Sequence, residues 1–266
     1  MLSDKSYPLL IKGLARPLEL WVHSEGDLHV SRSIAENGIW EVFETQLVLN
    51  YLKSGDCFVD VGANIGYYSV LAAEQVGRQG YVAAFEPEPK NFSLLQKNIA
   101  HNGYDFIDAQ FAGLSNKNTA AKIFLNKTNY GDHQIYDAGE QREACDIQLL
   151  NGAEYLSSYI QKIDFLKVDT QGAEFQVIEG LLPLLKKSLP TLKMIVEFWP
   201  YGLRKSGSSA HALLDILMPL TLPVHIIDHI EHKLIACTEQ QLREWVDMVD
   251  ANPDDQGFMN IFLGAR

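Results

Sequence analysis

The sequence predicts an α/β fold: one doubly wound, mostly parallel sheet with helices on both faces and a small N-terminal cap. Three observations carry this. From Cys57 onward, short apolar runs alternate with stretches whose apolar residues recur at helical spacing, the pattern of a parallel sheet with crossover helices. A glycine-containing turn directly follows the first of those runs. With 266 residues, 47% of them apolar and 21% charged, the chain has enough apolar surface for one large core.

The elements follow in order. Residues 1–53 read as a cap. Leu18–Val22 and Leu28–Val30 are short alternating runs on either side of His23-Ser24-Glu25-Gly26-Asp27, which predicts a hairpin. Trp40, Phe43, Leu47 and Tyr51 share a helical face, and Ser54-Gly55-Asp56 ends that helix. The main domain, 54–266, opens with a strand at Cys57–Val61. A helix over Ile65–Val76 follows, then a strand at Tyr81–Phe85. Pro87 and Pro89 introduce the next helix, which carries Phe92, Leu95 and Ile99 on one face and closes at Asn102-Gly103. Phe106–Phe111 is a third strand. Gly113–Ser158 is less regular, with a strand expected at Ala120–Leu125 and a polar loop at Asn126–Glu143. Ile163–Val168, Met194–Phe198, Val224–Ile227 and Phe258–Leu263 are further strands. Helical spacing at Ala173–Leu181, His211–Leu217 and Glu239–Met248 separates them.

A formal charge of −12 and a pI near 5.1 argue against a nucleic-acid partner, because no Lys/Arg cluster offers a basic stripe. Three widely spaced cysteines without a CxxC pair indicate neither a disulfide framework nor a zinc ribbon, and fit a reducing cytoplasm. No apolar run reaches the roughly 20 residues that span a bilayer, so a soluble cytoplasmic protein is expected.

Chemistry concentrates in Phe58-Val59-Asp60-Val61-Gly62-Ala63-Asn64-Ile65-Gly66. In open parallel sheets, ligands bind beyond the carboxyl ends of the strands, where strand order reverses. Gly62 lets a ligand approach the backbone, and Gly66 opens the following helix. Glu86, followed by Pro87, ends the second strand, where a carboxylate can accept hydrogen bonds from ribose hydroxyls. Together these describe an adenosine site. A dinucleotide fold wants GxGxxG for its pyrophosphate, but Asn64 replaces the middle glycine. Asp60 repels phosphate and suits an ammonium group. S-adenosyl-L-methionine, which carries an ammonium and a sulfonium but no phosphate, is therefore the expected cofactor.

The chain resembles the FkbM family of S-adenosylmethionine-dependent methyltransferases. The matching stretches, in order, are Ser31-Arg32-Ser33-Ile34 with Gly38-Ile39-Trp40-Glu41, Phe58 to Ser69, and Phe85 to Asn91. Gly113-Leu114-Ser115, Asp164 to Asp169 with Gly172-Ala173-Glu174, and Ile195-Val196-Glu197 follow. The resemblance implies a seven-stranded sheet with an antiparallel last strand, and methyl transfer, often to the hydroxyl oxygen of a sugar or another secondary metabolite. By position it places Gly62, Asn64 and Gly66 around the methionine part, Glu86 at the ribose and Ser115 near the adenine, with Ala63 and Pro87 also among the expected cofactor-binding residues. Gln171 departs from the family pattern, in which glutamate is more usual.

Transfer to a neutral alcohol benefits from a base at the strand ends beside the cofactor. Asp169, ending its strand, is the first candidate, although it also suits a helix cap. His133, beside Asp132 in a loop, is the second. Glu197 ends the neighbouring strand and is expected to contact substrate, whereas Glu174 reads as structural. His225, His229 and His232 lack the spacing of a helical metal motif, so no metal is assigned. Two other functions compete: an NAD-dependent oxidoreductase, and a catalytically silent protein that binds an adenosyl ligand.

Overall fold

A computed structural model describes residues 2, 5–137 and 141–265. The N-terminal segment forms β1 (Ser6–Pro8), β2 (Glu19–Trp21), α1 (Val30–Asn37) and α2 (Val42–Tyr51). The main run continues with β3 (Cys57–Val61), α3 (Tyr67–Val76), β4 (Tyr81–Phe85), α4 (Pro89–Asn102) and β5 (Ile107–Gln110). Next come β6 (Gly113–Ser115), β7 (Thr119–Leu125), β8 (Glu143–Asn151), α5 (Gly152–Leu156), β9 (Phe165–Val168), α6 (Glu174–Ser188) and β10 (Lys193–Phe198). The last elements are α7 (Pro200–Lys205), α8 (Ala210–Leu217), β11 (Val224–Asp228), β12 (Lys233–Cys237), α9 (Glu239–Asp250) and β13 (Met259–Leu263).

The main sheet has eight strands in the order β12-β11-β13-β10-β9-β3-β4-β5. Its centre, β10-β9-β3-β4-β5, is parallel, and β13 enters antiparallel between β10 and β11. The doubly wound fold and the antiparallel last strand are as expected. The eighth strand, β12, is a hairpin partner added at the edge beside β11.

Local chemistry explains most boundaries. Gly66, at φ 87°, precedes α3, and Gly77 ends it. The Glu88 side chain caps α4 by accepting from the Asn91 N–H, with Pro89 in the first turn and left-handed Gly103 at the end.

Two readings change. The expected hairpin does not form, because β2 pairs with β1 and not with residues 28–30. Asp27 instead accepts from the N–H groups of His29 and Ser31 and starts α1 there. The irregular stretch after β5 is also more ordered than its composition implies. In it, β6, β7 and β8 form a separate three-stranded sheet.

The sheet divides two apolar layers. Val59, Val61, Leu166, Val168, Met194 and Val196 face α6 and α8. On the other face, Phe58, Phe165, Ile195 and Phe262 pack against α2, α3 and α4. Strand alternation puts one polar residue beyond each of these four on that second face: Asp60, Lys167, Glu197 and Asn260. Asp60 lies directly across from Lys167, and Glu197 from Asn260. A buried polar row therefore crosses the carboxyl end of the sheet. No helix among the described residues is long and apolar enough to cross a membrane.

Helix α6 lies so close to β6 that a Cβ on Gly180 would sit 2.0 Å from the Ser115 carbonyl oxygen. Gly→Ala within a helix ordinarily stabilises by about 1 kcal/mol. Gly180→Ala should reverse that sign and destabilise by about 1–3 kcal/mol, as overpacking does, measured by chemical denaturation. A gain in stability would contradict the close packing.

Candidate active site

Strand order reverses between β3 and β9, and their carboxyl ends stand side by side, Val61 opposite Val168. The turn after β3 is tied to β4 by the N–H groups of Gly62 and Ala63, both donating to the Phe85 carbonyl at 3.0 Å. It is tied to β9 by the Asp169 N–H, which donates to the Val61 carbonyl at 3.0 Å. Gly62 has φ 85°, and a Cβ there would lie 1.9 Å from the Asp169 carbonyl oxygen, so only glycine lets the two loops meet. Gly66 performs a similar packing role against Leu95 and lines neither cavity described below.

Two cavities meet at this point, sharing Gly62, Asn64, Gly131, Asp169 and Gln171. The narrower, about 70 Å³, lies between the turn and the three-stranded sheet. Leu114, Ile123, Ile147 and Leu149 give it an apolar wall, while Glu86, Pro87 and Ser115 form another side. Glu86 is 5% exposed. Its oxygens accept from the backbone N–H of Asn64 at 2.7 Å and of Glu88 at 2.8 Å. In the ionised form each oxygen keeps a second lone pair, and in the protonated form one acceptor site and the O–H remain, so the same carboxyl can brace the turn and bond a hydroxyl. Burial pushes this carboxyl up to about 8 against the pull of the two N–H groups, with the Glu88 and Asp60 charges adding to the rise.

Asn64, at φ 51°, accepts from the Ile65 N–H and donates its amide to the Tyr130 carbonyl, which also accepts from Asn91. Its side chain thus anchors the Asn126–Gln134 loop instead of reaching into the cavity for an amino-acid tail. Ala63 lines the wider cavity. Asp60 does not reach either cavity. It is 1% exposed, accepts from the Ser69 hydroxyl at 2.6 Å, and burial pushes its carboxyl up to about 6. The ammonium-binding role expected of it is corrected on that ground.

The wider cleft, about 580 Å³, opens on the α2 face of the sheet. Trp40, Tyr67, Tyr68, Trp199, Tyr201 and Phe258 supply aromatic walls, and Lys167, Asp169, Gln171 and Glu197 are among its polar residues. Asp169 accepts from Lys167 Nζ at 3.0 Å and from the Gln171 amide at 2.8 Å. That amide also donates to Glu197 at 3.0 Å, so Gln171 bridges two carboxyls. Burial, then the Asp169 and Glu174 charges, push the Glu197 carboxyl well above its usual range. Glu174 accepts from the N–H groups of Thr170 and Gly172 and holds the loop before α6, the structural role read from sequence.

His133 is placed differently from expectation. It lines the narrow cavity, its Nδ1 accepts from the Asn126 N–H, and burial with the nearby Arg142 charge pushes it down to about 4. Neighbouring Asp132 pairs with Arg142 at 2.9 Å, not with His133. The imidazole therefore lies outside the wider cleft that Asp169 and Glu197 line, and its neighbour Asp132 does not orient it, which removes the geometry expected of a base. Sequence reasoning passed over Lys167, whose signal was a lone charge in an otherwise apolar strand, and Arg142, whose loop carried none. No group of three or more His, Cys, Asp or Glu among the described residues could hold a metal ion.

The sequence profile of the methyltransferase FkbM domain matches residues 60–230. The chain belongs to the FkbM methyltransferase family. The match begins at Asp60 and leaves out α1, α2 and β13, although Trp40, Glu41 and Asn260 line the wider cleft. Methyltransferase 1 of Beauveria bassiana is 24% identical over 143 residues, covering 46% of this chain and 57% of that protein. Hexuronic acid methyltransferase AglP of Haloferax volcanii is 27% identical over 147 residues, covering 53% of this chain and 56% of that protein. Both matches span little more than half of the relative's length. The crystal structure of a methyltransferase FkbM from Methylobacillus flagellatus aligns over 84% of this chain and 51% of that one, with 12% identity and a TM-score of 0.46.

The raised Glu86 carboxyl has a pH consequence. Between its ordinary 4.5 and about 8 the folded protein keeps a proton that the unfolded chain releases, so this contribution to stability is lost as pH rises through that window. Glu44, also near 8, and Asp60, near 6, act in the same direction. Glu86→Gln should flatten the slope, gaining more than about 1 kcal/mol on wild type between pH 5 and 8, read by urea denaturation at both pH values. Parallel curves would rule out a buried, proton-holding Glu86.

Proposed function

We propose that this protein transfers a methyl group from S-adenosylmethionine to a hydroxyl oxygen of a small molecule, a sugar or another secondary metabolite. The observation that carries the reading is the pair of joined cavities: one narrow and partly apolar, the other wide, aromatic and polar, with Asp169 lining both. Among the described residues lining the narrow cavity there is no Lys or Arg, while Glu86 and Asp169 are acidic. A pyrophosphate would meet no countercharge there, which disfavours NAD. A purine fits against Leu114, Ile123 and Ile147, with Ser115 alongside. Glu86 and Pro87 would take the ribose, and the Gly62–Asn64 backbone the amino-acid part. The hexuronic acid named for the Haloferax relative is in keeping with a sugar acceptor.

S-adenosylmethionine supplies a methyl group activated by a sulfonium. Asp169 would take the hydroxyl proton as the acceptor is methylated. The negative charge lost at the carboxylate matches the positive charge lost at sulfur. Glu197 would contact the acceptor, and the aromatic walls would hold it in line and exclude water. In this reading residues 1–53 form a cap and 54–266 the cofactor-binding domain, with the acceptor enclosed between them.

Calorimetry should give micromolar binding of S-adenosylhomocysteine, weakened at least about tenfold by Glu86→Ala, as loss of a bidentate hydroxyl contact implies. Asp169→Asn should keep that binding and lower turnover on a panel of hydroxylated acceptors by about 100-fold or more. No binding, with Glu86→Ala like wild type, overturns the proposal. Tight binding with no turnover on any acceptor would indicate a silent adenosyl-binding protein.

A further inference from the structure

Lys167 is 4% exposed, in a strand whose other residues, Phe165, Leu166 and Val168, are buried and apolar. A solitary ammonium there costs several kcal/mol unless it is paired. Groups on every neighbouring element face it. Asp169, directly after the same strand, accepts from Nζ at 3.0 Å, and Glu41, at the start of α2, lies 4.0 Å away. Nζ sits 4.8 Å over the Tyr68 ring of α3, and the Tyr68 hydroxyl donates to Glu41 at 2.8 Å. The charges of Glu44 on α2 and Asp60 on β3 also act on it, and Glu197 on β10 feels its charge in turn. Burial alone would push this ammonium down, but the surrounding carboxylates raise it above the usual lysine range.

An ion pair that served stability alone would need no strained partners. Glu41 and Gln171, on the two sides of the Lys167–Asp169 pair, hold φ of 43° and 53°, and Asn64 above them holds 51°. Non-glycine residues in this region each cost of order 1–3 kcal/mol and gather at functional sites. All three line the acceptor cleft.

We propose that Lys167 is a positioning residue for methyl transfer: it acts through Asp169, holding that carboxylate against its Nζ and turned toward the acceptor, while Glu41 of the N-terminal segment holds the lysine from the other side. The proposal rests on the methyltransferase reading above. It adds a part of the catalytic apparatus that lies outside the matched 60–230 stretch and without which Lys167 would lose its second anchor.

The test follows the Asp169 carboxyl carbon by NMR in protein labelled at aspartate side-chain carboxyls, with Asp169→Asn assigning the signal. In Lys167→Met its titration midpoint should move up from wild type by more than about one unit, the size of effect an adjacent cation has. Lys167→Arg should restore most of that shift. If Lys167→Met fails to fold, Glu41→Gln serves: released from Glu41, the ammonium pairs with Asp169 alone and the midpoint should move down. With any acceptor turned over by the wild type, Lys167→Met should lower kcat at least tenfold with KM little changed, and the acid limb of the pH–rate profile should move up with the NMR midpoint. An unmoved midpoint, or a changed KM with kcat intact, overturns the proposal. S-adenosylhomocysteine calorimetry on the same samples separates the outcomes. Loss of binding in the wild type sinks the methyltransferase reading, whereas intact binding with an unmoved midpoint sinks only the role of Lys167.

Discussion

The whole site depends on one close approach, that of the Gly62 Cα to the carbonyl of Asp169. Because β3 and β9 are neighbours whose chains depart in opposite directions across the sheet, the loops that follow them must pass one another. A glycine in the left-handed region lets them do so in contact. That contact puts the glycine turn and Asp169 at a single point, the junction of the two cavities. The N–H groups of Gly62 and Ala63 bonded to Phe85, and that of Asp169 bonded to Val61, hold the junction on both sides.

Around the junction the molecule tolerates buried charge that it avoids elsewhere in the sheet. Asp60, Lys167, Glu197 and Asn260 form a polar row on one face, where the preceding position on each strand is apolar. Helix α2 answers this row from above, with Asn260 donating to Glu44 and Glu41 facing Lys167. Such groups disfavour folding unless paired, and Glu44 and Glu197 each keep an oxygen with no hydrogen-bond partner among the described residues. The arrangement has the character of a site maintained for chemistry at the expense of stability.

The N-terminal segment is part of that arrangement. Asp27 turns the chain into α1, and His23 and Gly26 form a slot for Tyr130, whose carbonyl is held by Asn64 and Asn91. The loop over the narrow cavity therefore rests on the cap as well as on the sheet. This explains why residues with little motif character line the cavities, Tyr130 the narrow one and Arg142 the wider.

The sequence by itself determined seven of the eight main-sheet strands and most of the helices between them from Cys57 onward, the glycine turn, the terminal Glu86 and the family. Each of these rests on local periods, caps and turn residues separated by few positions. Only the tertiary structure decided the partners. It turned Leu28–Val30 into a helix start because Asp27 accepts from the His29 and Ser31 N–H groups, and paired β8, hidden in a polar stretch, with β6 and β7. It removed His133 from the acceptor side because burial and the Asn126 N–H claim the ring. It brought Glu41 to Lys167 across 126 positions, a contact that no local pattern can encode, because side-chain pairing across a sheet depends on which elements pack together and not on spacing along the chain.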